Sequence, residues 1–77
     1  MKFQAYVFVE TKNPGPKHIV GNVRKIPGVV RADALFGVTD IIAFVEGEDI
    51  AKMDVVIDQI AELKGVLDTE SKVVRWV

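Results

Sequence analysis

The tetrapeptide Gly37-Val38-Thr39-Asp40 gathers groups that could hold a small zwitterion. Gly37 permits close approach of backbone to a ligand, and a turn there exposes peptide N–H groups able to receive a carboxylate. Asp40 could pair with an ammonium, and Thr39 adds a hydroxyl. On the residues alone, a plain hairpin in which Asp40 and Thr39 cap their own backbone is the commoner fate of such a turn.

The rest of the chain offers little competing chemistry. With one histidine, His18, and no cysteine, no Ser-His-Asp or Cys-His set can be assembled, and disulfides and thiolate metal sites are excluded. No residues show zinc-ligand spacing, so no metal and no cofactor are expected. Phosphate-cradling glycine motifs are missing too. A formal charge of −1, with cations scattered through the first half, argues against direct nucleic-acid binding. No apolar run approaches the roughly 20 residues of a membrane span, and a strand begins almost at once, so a cytoplasmic, non-membrane protein is expected.

The elements that must position the turn follow from periodicity. Phe3 to Glu10 reads as a strand, with Phe3, Ala5, Val7 and Val9 inward and Tyr6 and Phe8 on the second face. Pro16 opens a helix whose stripe is Ile19, Val23 and Ile26 with Val20 beside it, and Pro27-Gly28 stop it. Gly21 within that helix costs roughly 1 kcal/mol relative to Ala, a cost that close packing would excuse. A second strand over 29–36 turns through the tetrapeptide and returns as Ile41 to Glu46. Asp49 caps a second helix with a stripe of Ile50, Met53, Ile57 and Ile60, flanked by Val56 and Leu63. Gly65 closes it in a left-handed conformation, and Val66 to Val77 is the last strand.

The passages Ile26-Pro27-Gly28-Val29 and Leu63-Lys64-Gly65-Val66 echo each other. Two βαβ-type halves with right-handed crossovers predict an α+β ferredoxin-like βαββαβ sandwich, a four-stranded antiparallel sheet with two helices on one face. That fold hosts many functions, and the marks of its familiar enzymes, metal chaperones and RNA binders are missing. Apolar runs on both sides of the turn and in the first strand imply that both sheet faces are covered, yet two helices cover only one. Seventy-seven residues without a disulfide or metal need another staple. A sheet-to-sheet homodimer through Tyr6, Phe8 and Trp76 supplies it.

Asp54, Asp58 and Glu62 recur every four residues, reading either as a solvated helix face or as an acidic edge meeting Lys or Arg of a neighbouring subunit. His18 reads as a surface residue, and the aromatic Trp76 favours a packed, interfacial chain end.

The hairpin from Phe36 to Glu46 resembles the signature of the ligand-binding (RAM) domain of Lrp/AsnC transcriptional regulators. So do Ala5-Tyr6-Val7, Lys25-Ile26-Pro27-Gly28-Val29 and Thr69-Glu70-Ser71, in order and across essentially the whole of 1–77. The resemblance implies dimers assembled into rings of eight or ten subunits, with an amino acid bound between dimers. By position it implies Gly37, Val38, Thr39 and Asp40 from the turn, with Thr69 and Ser71 from the last strand, as ligand-binding residues. The family commonly has an aromatic at the position of Thr39, a Thr at that of Phe36 and a Thr at that of Ser71. The family's helix-turn-helix is not found in these residues, so a stand-alone version is expected, working with full-length Lrp/AsnC regulators. A purely structural oligomerisation module and a small dimeric enzyme of the same fold are the alternatives.

Overall fold

The computed structural model describes residues 2–13 and 15–75. Six elements follow in order: β1 (Phe3–Thr11), α1 (Pro16–Arg24), β2 (Val29–Ala34), β3 (Ile41–Gly47), α2 (Ile50–Ala61) and β4 (Val66–Val73). The sheet runs β2-β3-β1-β4, antiparallel at every pairing, which is the expected ferredoxin-like arrangement.

Strand alternation decides which side chains meet the helices. Ala5, Val7 and Val9 of β1 and Ile41, Ala43 and Val45 of β3 are buried against Ile19, Val20 and Val23 of α1 and Met53, Val56 and Ile60 of α2. Burial of each larger side chain contributes about 1.5–3 kcal/mol. Asp49 caps α2 as the sequence indicates, its Oδ1 accepting from the N–H of Lys52 at 2.7 Å.

The two matching passages are matching turns. Val29 N–H donates to Ile26 O at 3.1 Å and Val66 N–H to Leu63 O at 3.2 Å, with Gly28 and Gly65 at φ of 99° and 96°. Each glycine also seats the other half's helix. A Cβ on Gly28 would run into Val56 of α2, and one on Gly65 would stand 2.6 Å from Ile19 Cδ1 of α1. The halves interlock at two positions where an added side chain would be strained and would force its neighbour to shift.

Several sequence expectations are corrected. α1 ends at Arg24, so Ile26 packs on the core from the following turn instead of from the helix. Ile50 is 61% exposed because the core stripe of α2 is Met53, Val56 and Ile60, and the first helical residue lies off it. A Cβ on Gly21 would meet nothing within 4 Å, so close packing is not what retains it. β2 stops at Ala34, which leaves Leu35 and Phe36 in a loop spanning 35–40. Arg31 and Asp33 occupy the open face of β2, so the double apolar covering belongs to β1 and β3 only. Trp76 lies outside the described residues.

Candidate functional site

The loop between β2 and β3 is closed at its base and open at its tip. Leu35 N–H donates to Asp40 O at 2.7 Å, and Asp40 N–H donates to Val9 O at 3.0 Å. Both carboxylate oxygens of Asp40 accept from Thr11 on β1: Oδ1 from the backbone N–H at 2.9 Å, Oδ2 from the hydroxyl at 2.7 Å. Asp40 thus fastens the loop to the neighbouring strand instead of capping its own turn. Beyond this clasp Gly37 takes φ of 122°, and Phe36 and Val38 stand out into solvent. The N–H groups of Gly37, Val38 and Thr39 donate to none of the other described residues.

Two charge-assisted bonds contribute about 1.5–3 kcal/mol each when intact, less where water competes. Asp40→Ala should therefore lower stability by about 2 kcal/mol, roughly 8–16 °C in Tm for a domain of this size. Thermal unfolding of this variant beside Thr11→Val measures the effect. A Tm within a degree of the parent would show that the clasp holds nothing.

Beside the loop lies a shallow depression of about 210 Å³, lined by Phe8, Glu10, Val38, Thr39, Asp68, Thr69 and Glu70. Val38, Thr39 and Thr69, three of the residues named from sequence, come together here. Gly37 forms the adjoining bend, and Asp40 faces Thr11. Ser71 lies further along β4, opposite Val7, and does not line the depression. Three carboxylates that the sequence reading left aside, Glu10, Asp68 and Glu70, rim it. The register of β4 on β1, Glu10 opposite Asp68 and Phe8 opposite Glu70, is what brings them there. The residues lining the depression include two from the loop whose N–H groups are unbonded, a type of donor suited to a carboxylate, and three carboxylates suited to an ammonium.

The open face of the sheet forms a larger surface. Tyr6 opposes Phe44 and Phe8 opposes Ile42 across β1 and β3, and the Tyr6 and Phe44 rings lie 4.9 Å apart at 56°. A hollow of about 390 Å³ opens over Tyr6, Ile42, Phe44 and Val30. Charged residues edge this centre: Arg31 paired with Asp33 at 2.8 Å on β2, and Glu70 and Lys72 on β4. An apolar middle within a polar rim is the anatomy of an interface.

Glu46 closes one end of that face. Hydrogen bonds from Lys2 at 3.1 Å, and secondarily from Gln4 at 3.3 Å, hold its carboxyl below the ordinary 4.5. Folding therefore favours the charged form. Its contribution is present above the unfolded value and is lost as pH falls through the lowered folded one. A carboxyl titration followed by NMR should give Glu46 a midpoint below 4.5 that rises in Lys2→Met. An unmoved midpoint would show that the Lys2 contact is absent in solution.

Among the described residues no group of three or more acidic or histidine side chains could hold a metal ion, and no helix is long and apolar enough to cross a membrane. The model of the Lrp/AsnC ligand-binding domain matches residues 4–75. The chain belongs to that family. It is a regulatory ligand-binding domain, not an enzyme.

Solved structures similar to this Lrp/AsnC domain include transcriptional regulators. The Thermus thermophilus protein TTHA0845 superposes with a TM-score of 0.87 at 24% identity, covering 97% of this chain and 95% of its own. The transcriptional regulator NMB0573 of Neisseria meningitidis, solved as a complex with L-Met, gives 0.78 at 27% identity over 96% of this chain. An AsnC family transcriptional regulator from Agrobacterium tumefaciens gives 0.81 at 22% identity over 99%. The domain spans 50% and 52% of those two regulators. Comparison with curated protein sequences gives no significant match.

Proposed function

We propose that this Lrp/AsnC domain binds an amino acid as effector and couples its occupancy to assembly. The observation that carries the reading is the family match over nearly the whole chain, together with a relative solved with L-Met. The depression beside the hairpin supports a site there. Val38, Thr39 and the free N–H groups of the turn would receive the carboxylate, and the carboxylates of Glu10, Asp68 and Glu70 would receive the ammonium. Gly37 would supply the close backbone approach, and Asp40 would hold the loop in register through Thr11. Thr69 would line the floor, with Ser71 contributing only if β4 shifts.

Assembly is the second half of the reading. The open sheet face would pair two copies through Tyr6, Phe8, Ile42 and Phe44, and dimers would join into a ring. At about 210 Å³ and open to solvent, the depression is smaller than the roughly 300–1,000 Å³ of enclosing ligand pockets. A neighbouring dimer would close it, so that a bound amino acid bridges two dimers and favours the assembled state by its differential affinity. Any effect on transcription would run through co-assembly with full-length Lrp/AsnC regulators. The near-equal length of the Thermus relative supports a domain that works at this size.

Calorimetric titration with each amino acid, L-Met included, tests the reading when mass is followed in parallel by light scattering. Binding by at least one, weakened when Glu10 and Asp68 are changed to Gln and Asn, is the expected result. No heat and no change of mass with any of them would refute it.

A further inference from the structure

A second recess lies on the helix side of the fold, between the start of α1 and the end of α2. Its volume is about 630 Å³, and it shares no residue with the depression beside the hairpin. That volume falls within the roughly 300–1,000 Å³ of small-molecule sites. Lys12 and Asn13 line it from the turn after β1, His18 and Asn22 from α1, and Glu62 and Lys64 from the turn after α2. His18 and Asn22 stand four residues apart, which puts both on one face of the helix. Ile19, Leu63 and Val66 supply an apolar floor, Ile19 buried and the other two half-buried.

The walls are pinned by backbone bonds. Lys12 N–H donates to Gly65 O at 2.9 Å, Gly15 N–H to Lys12 O at 3.0 Å and His18 N–H to Gly15 O at 3.2 Å. The polar side chains are not used in this bracing. Among the described residues, none of Lys12, Asn13, His18, Asn22, Glu62 and Lys64 makes an ion pair or a side-chain hydrogen bond. Lys12 and Lys64 against Glu62 leave an excess of positive charge here, in a chain whose formal net charge is −1. α1 begins at the recess and α2 ends there, so their dipole ends offset each other and the side chains set the sign.

We infer that this recess binds a small organic monoanion, a carboxylate carried on an apolar body and lacking an ammonium. The carboxylate takes charge-assisted bonds from Lys12 and Lys64, and His18, Asn13 and Asn22 add N–H donors around it. The apolar body rests on Ile19, Leu63 and Val66. Two lysines and one glutamate are balanced by a single negative charge. A zwitterion leaves the excess uncompensated, and Glu62 repels a dianion. The inference rests on neither the effector site nor the sheet-face dimer, because neither uses these residues.

NMR titration of the full chain with isocaproate and with L-leucine tests it, since the two share a carbon skeleton and differ in the ammonium. Isocaproate should shift the amide signals of His18, Asn22 and Lys64 saturably, and bind there about tenfold more tightly than leucine. Lys12→Gln with Lys64→Gln should weaken isocaproate about tenfold or more, whereas Glu62→Gln should tighten it about threefold. All three positions are exposed and outside the core, and circular dichroism checks that the fold is kept. No saturable shift at these residues, equal affinity for leucine, or unchanged isocaproate affinity in the lysine variant would each overturn the site.

Discussion

Phe44→Asp should leave the protein monomeric at concentrations where the parent chain is dimeric. Phe44 stands at the middle of the open face, ring to ring with Tyr6 and beside Ile42, and takes no part in the core between sheet and helices. Truncating a central aromatic anchor typically costs about 2 kcal/mol or more of association. An unpaired carboxylate forced into the same place adds several kcal/mol of desolvation. A combined loss above about 3 kcal/mol weakens association more than a hundredfold. Helical content should persist at low temperature, because Ala43 and Val45, not Phe44, face the helices. The melting temperature should nevertheless fall, since association with a partner stabilises the folded state by mass action. Sedimentation velocity reads the outcome, and an unchanged mass would exclude this face as the interface.

Gly47→Ala should be strongly destabilising for the addition of a single methyl. Gly47 ends β3 where the first turn of α2 crosses it. A Cβ there would stand 2.5 Å from Met53 N and 2.8 Å from Met53 Cα. These are backbone atoms, so no rotamer relieves the clash. Met53 N–H also makes an early bond of the helix, to Asp49 O at 3.1 Å, and its side chain is buried in the core. Overpacking of this kind costs about 1–3 kcal/mol, and backbone displacement places this case at the upper end. A domain of this length has a total stability of only about 4–12 kcal/mol. Gly37→Ala is the informative comparison. Its φ of 122° strains any other residue, but open space surrounds it, so it should cost only about 1–2 kcal/mol. Denaturant unfolding of both variants should rank Gly47→Ala as the worse, and the reverse order would contradict the packing described at α2.

The sequence made the six elements and their order readable because each carries its own local signal. Asp49 reads as a cap, Pro16 as a helix opener, and the paired Gly28 and Gly65 as turn positions. The inward set of β1 was equally legible, since alternation places Ala5, Val7 and Val9 on one face whatever lies next to them. Non-local features were not legible. Leu35 and Phe36 have strand-like side chains, yet the closing bond from Leu35 N–H to Asp40 O ends the hairpin before them. Strand propensity answers to such context more than to the residue itself. The grip of Thr11 on Asp40 joins residues 29 positions apart and leaves no periodic trace. Likewise the gathering of Glu10, Asp68 and Glu70 depends on the register of β4 on β1, which pairs Phe8 with Glu70 and Glu10 with Asp68. Turn chemistry marks Gly37, Val38, Thr39 and Asp40 locally, whereas nothing local marks Glu10, Asp68 and Glu70 as neighbours of that loop.

The claim beneath the functional account is that the Tyr6–Phe44 face is completed by a second copy. Light scattering of the unaltered chain at about 10 µM, well above the dissociation constant of a stable homodimer, tests it most directly. The expected mass is twice that of the 77-residue chain or an even multiple of it. A cooperatively folded single chain at that concentration would contradict the account.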